Sequence, residues 1–226
     1  VHFEEVWNNW VDVETGEFST SIGRPEGGQW EPTWRYELWA DPIYYLPHTL
    51  SPLLRILGDR VTRVSCMGTR VGSHTYPEEN PPFREIEYAL MHTAGDTVMA
   101  VGAGFTLPYV RRGSTGCHWY ELRGTKGSVE SPRSVEDDFR VWHPGMESFE
   151  GMDVSTAPID ADAQQAKSGH GGADFKPVDT FIRAILEDGT PPVDALLAAE
   201  ITAPAILAAE SARRGGKLLE VPDFRA

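Results

Sequence analysis

An imidazole and two phenols lie together at Tyr44-Tyr45-Leu46-Pro47-His48. Beside a sugar or other polyol, His48 can accept a hydroxyl proton while Tyr44 or Tyr45 donates a hydrogen bond to a substrate oxygen. Such groups change protonation without placing a permanent charge beside a hydride donor. The competing reading is a packed tyrosine pair followed by a histidine that caps a helix. A second chemical cluster is Ser168-Gly169-His170-Gly171-Gly172-Ala173-Asp174. Its glycines permit close backbone approach, and His170 and Asp174 can contact ligand hydroxyls. Asp174 has an equally physical role as the N-cap of the segment that starts at Phe175.

Other chemistries lack their residues. The seven histidines include no close pair and no cysteine-rich partner set, so no metal site is expected. Gly102-Ala103-Gly104 falls late in a strand-like stretch, and no Gly-x-Gly-x-x-Gly joins a strand to a helix, so tight dinucleotide binding by this chain alone is not expected. There is no phosphate-loop Lys-Ser/Thr and no serine nucleophile motif. Cys66 and Cys117 are too few and too far apart for a disulfide framework or a redox pair, and read as reduced packing residues.

These groups need elements to hold them. Leu46, Leu50, Leu53, Leu54 and Leu57 recur at helical spacing, with Gly58 as the stop; Ser51-Pro52 fits an internal helix start, and His48 stands at the helix entrance. Val1 to Val13 reads as an opening strand containing Phe3, Val6, Trp7 and Trp10, followed by a polar connection through Trp34. Val61 to Met67 is strand-like. Ile86 to His92 and Thr97 to Phe105 fit a hairpin across Ala94-Gly95-Asp96, and His118 to Arg123 pairs with Ser128 to Glu130 across Gly124-Thr125-Lys126-Gly127. A polar stretch with Pro144, Gly145, Gly151 and Pro158 leads to two helices. The first carries the apolar stripe Phe175, Val178, Ile182 and Ile185, broadened by Phe181 and Leu186. The second spans roughly 194–214, kinked or broken at Pro204 and ended by Gly215-Gly216. The expected fold is α+β, a large and mainly antiparallel sheet with helices covering one face. Phe105, Leu107, Tyr109, Trp119 and Leu122 supply an apolar surface for the other face, suited to self-association or to completing a monomer core.

The chain has 226 residues, 40% of them hydrophobic, enough for one large domain or two small ones. Its formal net charge of -14 opposes a broad nucleic-acid surface, because phosphate binding begins with basic charge. No apolar segment is read as a membrane span and no signal peptide opens the chain, so a cytoplasmic protein without nucleic-acid or membrane partners is expected.

The Tyr44 to Gly58 segment and the Arg123-Gly124-Thr125-Lys126-Gly127 turn resemble the C-terminal domain of the Gfo/Idh/MocA oxidoreductases. So do Gly169 to Phe175, Asp188-Gly189-Thr190-Pro191-Pro192-Val193-Asp194, Ala208 to Gly216 and the ending Val221-Pro222-Asp223-Phe224. The resemblance runs through nearly all of the chain. Leu46-Pro47-His48-Thr49-Leu50-Ser51-Pro52 especially resembles the NAD-dependent glycosidase-like branch and related sugar oxidoreductases.

The resemblance implies that residues 1–226 form a substrate-binding and oligomerisation domain, with an N-terminal Rossmann domain and its Lys-Pro catalytic region lying outside these residues. NAD or NADP would bind in the complete protein or complex, and a homo-oligomer is expected. His48 aligns with the histidine that starts the family's substrate-domain helix, and His170 with its Gly-rich loop. The implied catalytic residues are His48, His170 and Tyr44, and the implied substrate-binding residues are Tyr45 and Asp174. Tyr44 stands where simpler polyol dehydrogenases of the family often have Asp, so their Asp-His relay does not carry over. The implied activity is that of a nicotinamide-dependent enzyme on a carbohydrate or polyol. The alternatives are an NAD-dependent glycosidase and a non-catalytic binding or oligomerisation protein.

Overall fold

The computed structural model describes residues 10–19, 24–34, 41–70, 84–104, 119–132, 137–146, 150–152 and 175–226. The chain divides into two units, residues 1–107 with 195–226, and residues 108–194. His170 and Asp174, with Phe105, Leu107, Tyr109 and Cys117, lie outside the described residues.

The core of the first unit is a four-stranded sheet of β4 (Val61–Gly68), β5 (Ile86–Thr93), β6 (Val98–Gly104) and β11 (Leu219–Glu220), ordered β11-β4-β5-β6 and antiparallel throughout. Side chains alternate across a strand, so Val64, Cys66, Ala89, Met91, Met99 and Val101 point to one buried face. Helix α3 (Ala195–Arg213) covers that face with Ile201, Ala205, Ala208, Ala209 and Ala212. The run of alanines presents little side-chain bulk, so the helix lies close on the sheet. Pro204 lies inside α3, yet the helix runs unbroken through it. Of the expected kink or break, the break does not occur: strong helix formers surround the proline, which is itself buried.

Helix α1 (Pro47–Leu57) closes the same core. Leu50 and Leu54 are fully buried, Leu53 is half-buried and Leu57 is exposed. Its start is Pro47 rather than the expected Ser51-Pro52; Pro47 occupies a first-turn position whose missing N–H costs nothing, and Pro52 is carried inside. Gly58 ends α1 in the left-handed region at φ 62°, its N–H donating to Leu54 O at 2.8 Å. Ion pairs and hydroxyls fasten the C-terminal segment. Arg225 grips the buried Glu200 of α3 through two hydrogen bonds of 2.7 and 2.8 Å, and Ser211 accepts from Cys66 N and donates to Lys217 O.

α3 is long and apolar enough to cross a membrane by length and composition, which corrects the reading that no segment reaches such length. Its buried Glu200, Ser211 and small residues packed on β4 are the features of a core helix.

A small sheet also belongs to this unit: β1 (Trp10–Asp12), inside the expected opening strand, lies between β2 (Phe18–Ser19) and β3 (Trp30–Pro32), which fall in the stretch expected to be a connection. Asp12 accepts backbone N–H bonds from Glu14, Thr15 and Gln29. Led by the Thr15 N–H, these hold its carboxyl below the usual range against the cost of burial.

The second unit carries β7 (Glu121–Gly124), β8 (Gly127–Glu130), β9 (Phe139–Trp142) and β10 (Glu150–Met152), an antiparallel sheet ordered β10-β9-β8-β7. The expected hairpin at 124–127 is present; β10 lies in the stretch expected to be polar and irregular, and β9 just before it was not expected. Helix α2 (Phe175–Leu186) has its apolar residues on one side, yet none is buried. The fold is thus α+β, antiparallel, with helices on one face; among the described residues the strands form three sheets rather than one large one.

Candidate functional site

Pro42–Tyr45 forms a 3-10 helix that runs directly into α1. Pro42 and Ile43 are buried, so they anchor the turn, while Tyr44 and Tyr45 are half-buried and His48 is exposed one turn later. The Tyr45 and His48 rings stack, with centroids 4.1 Å apart and planes inclined by 18°. The sequence reading grouped Tyr44, Tyr45 and His48; the fold places them on one continuous helical corner with the imidazole at its surface.

Behind that corner lies a polar set which the sequence reading did not identify. Asp41, at the N-cap of the 3-10 helix, makes no side-chain cap bond. Its carboxylate, 2% exposed, instead meets the Arg213 guanidinium of α3 at 2.7 Å. Arg213 also sits 5.9 Å from the Tyr44 ring centroid, a cation–π separation. Burial disfavours the charge of Arg213, but Tyr44 and Asp41 outweigh it and raise its pKa further.

From β5, Glu87 points into the core with no exposed surface. Its Oε2 accepts the backbone N–H of Ile43 at 3.0 Å, and its Oε1 lies 3.8 Å from Arg84 Nε without a hydrogen bond. Arg84 donates instead to Thr69 O and to Ala212 O. Burial pushes the Glu87 carboxyl up to about 7; Asp41 adds to this, and the Ile43 N–H, Arg84 and Arg213 oppose it. Burial also raises the Cys66 thiol to about 12, helped by Glu87, so Cys66 is an inert packing thiol.

The available signal for Glu87 was its phase. It alternates with Ala89, Met91 and Thr93, all buried, whereas the bulkier Tyr88 and Leu90 face out. Asp41 and Arg213 are 172 residues apart, and only the docking of α3 joins them. Among the described residues no group of His, Cys, Asp and Glu could hold a metal.

Residues 140–226 match the family described as glycosyl hydrolase 109, C-terminal domain. No curated protein matches by sequence. Solved structures with a similar fold include UDP-N-acetylglucosamine 3-dehydrogenase from Acidithiobacillus ferrooxidans, at TM-score 0.57 and 15% identity over 79% of this chain and 50% of that one. A levoglucosan dehydrogenase in complex with NADH and levoglucosan gives 0.55 and 18%, over 79% and 49%. The aldose-aldose oxidoreductase of Caulobacter crescentus gives 0.54 and 13%, over 78% and 46%. The chain therefore spans about half the length of these structures. Its C-terminal part matches the glycosyl hydrolase 109 C-terminal domain, and its fold resembles that of about half of each of these structures.

Proposed function

We propose that this chain is the substrate domain of a nicotinamide-dependent oxidoreductase acting on a carbohydrate or polyol. The observation that carries the reading is the helical corner itself, an exposed imidazole stacked on Tyr45 with Tyr44 beside it. His48 accepts the hydroxyl proton of the carbon being oxidised, and the tyrosines orient neighbouring hydroxyls by hydrogen bonding. His170 and Asp174 remain proposed contributors on the Gly-rich loop.

The described residues do not fit a nicotinamide dinucleotide. Every strand pairing among them is antiparallel, whereas a dinucleotide fold needs a parallel strand–helix–strand unit. In this reading a Rossmann domain, in the same protein or in a partner chain, holds NAD or NADP and supplies the hydride acceptor. The buried free thiol of Cys66 accords with a cytoplasmic setting. Testing the full-length protein, or the chain combined with a Rossmann partner, against a panel of sugars and polyols should give substrate-dependent nicotinamide reduction. Its absence with every sugar and either cofactor, in an intact assembly, contradicts the reading.

A second outcome is favoured by the glycosyl hydrolase 109 match. There oxidation would be transient: the keto sugar's acidified neighbouring C–H allows elimination, water adds, and the hydride returns. Glycoside cleavage without net cofactor reduction distinguishes that outcome from a dehydrogenase.

The open face of the β11-β4-β5-β6 sheet supports self-association. Met67, Tyr88, Leu90 and Val98 are all more than half exposed there. Tyr88 lies across Gly102, where an added Cβ would come within 2.4 Å of the ring. This surface differs from the residues expected from sequence: Trp119 and Leu122 belong to the second unit. Light scattering of the full-length protein over a dilution series should give a multiple of the monomer mass, reduced to monomer by Leu90→Arg. A homogeneous wild-type monomer contradicts it.

A further inference from the structure

A carboxylate in an apolar core is costly to keep, and an apolar residue of similar size usually serves the core as well or better. Glu87 has no exposed surface and shares the buried face of β5 with Ala89 and Met91, so its presence calls for a task. The only hydrogen bond described for its side chain goes to Ile43, 44 residues earlier in the chain. The first N–H groups of a helix have no partner within the helix and need a cap. In the 3-10 helix Pro42 has no N–H to offer, so Ile43 presents the first donor, and the natural cap, Asp41, is engaged by Arg213 instead. Glu87 therefore supplies from β5 the acceptor that the local sequence does not.

We infer that Glu87 is a positioning residue for the Tyr44, Tyr45 and His48 site, fixing the 3-10 helix through the Ile43 amide so that Tyr45 meets the His48 ring. The inference rests on the proposed role of those three residues. Ile43 directly precedes Tyr44, and Tyr45, the last residue of the 3-10 helix, stacks on His48 in the first turn of α1. Two struts hold this corner, Glu87 from the sheet below and the Arg213–Asp41 pair from α3. Both act at the N-terminal end of the 3-10 helix, Asp41 at the N-cap and Ile43 two residues on, so loss of Glu87 leaves the Arg213–Asp41 pair to hold that end alone.

The strut responds to pH near neutrality. The groups facing Glu87 are Arg84 from the segment before β5, Asp41 at the 3-10 helix, Arg213 from α3 and Cys66 from β4. Burial and Asp41 outweigh the two arginines and the Ile43 amide and bring the carboxyl to about 7. A protonated carboxyl accepts the Ile43 N–H more weakly than a carboxylate does, so the corner loosens as the proton binds.

The test uses the full-length protein with isotope-labelled isoleucine and tyrosine, followed by NMR through neutral pH, together with sugar turnover by wild type, Glu87→Gln and Glu87→Met. Wild type should show an inflection near pH 7 in both the Ile43 amide and the Tyr45 ring resonances, missing in Glu87→Gln. Gln retains an oxygen acceptor, so turnover should stay within about threefold of wild type, whereas Glu87→Met, which has none, should lower kcat roughly 10- to 100-fold at saturating sugar, as misplacement of reacting groups does. An Ile43 inflection that Tyr45 does not follow overturns the inference, even if the Met variant fails to fold. So does a folded Met variant with wild-type resonances and kcat. If no sugar is turned over at all, the NMR coupling still decides the strut, and only the assignment of the site to sugar chemistry falls.

Discussion

His48→Asn should lower the single-turnover rate of sugar oxidation roughly 10²- to 10⁴-fold, the range that a positioned general base contributes. Substrate affinity should change far less, because asparagine keeps a hydrogen-bonding group of similar reach but cannot take up the proton. The expected loss is in kcat at saturating sugar and should be accompanied by loss of the wild-type pH dependence of that step. Folding should survive. His48 is exposed, and the stacking on Tyr45 that is removed is worth about 1 kcal/mol. Tyr44→Phe and Tyr45→Phe keep the rings and should act mainly on KM. If folded His48→Asn retains near-wild-type chemistry across pH, the proton acceptor lies elsewhere, and His170 becomes the next residue to test.

The second large effect is on stability. Glu87 titrates at about 7 in the folded protein, against an ordinary value of 4.5. The folded state thus holds this proton more tightly than the unfolded chain. That contribution to stability is complete below about 4.5 and is lost as the pH rises through about 7. At about 1.4 kcal/mol per pH unit of difference, the loss is ~3 kcal/mol. Glu87→Gln removes the titration, so the difference in unfolding free energy between wild type and this variant isolates the group from every other. Urea titrations of both proteins from acid to mildly alkaline pH should show wild type losing ~3 kcal/mol relative to Glu87→Gln. A pH-independent difference would contradict the raised carboxyl.

These two residues differ in how readable they are. His48 follows from local pattern alone: leucines at helical spacing fix the face of α1, a proline opens the helix, and the histidine sits beside it. The hairpin of β5 and β6 and the glycine ends of α1 and α3 are equally local. Glu87 is hidden by the same reasoning, because hydrophobicity taken by itself assigns Ile86, Tyr88 and Leu90 to the core and Glu87 to solvent. The fold reverses that phase, since α3 offers small alanines to the sheet and leaves the bulkier residues on the open face. Pairing of Asp41 with Arg213 is non-local, and no periodicity encodes it. β1 falls within the expected opening strand, but its partners β2 and β3 are two or three residues long and β3 includes a proline, too short for alternation to register. His170 and Asp174 fall outside the described residues, so their part in the site rests on the sequence reading.

The central claim is that a sugar carbon gives up hydride at a site this chain completes. Its most direct test is transfer of label from sugars deuterated at single carbinol positions, incubated with the full-length protein and NAD or NADP. Deuterium should appear on the nicotinamide for a dehydrogenase, or, for the glycosidase outcome, be lost to water from the carbon beside the transiently oxidised one, in either case abolished by His48→Asn. Retention of all deuterium at every position, in a protein that binds both sugar and cofactor, would contradict it.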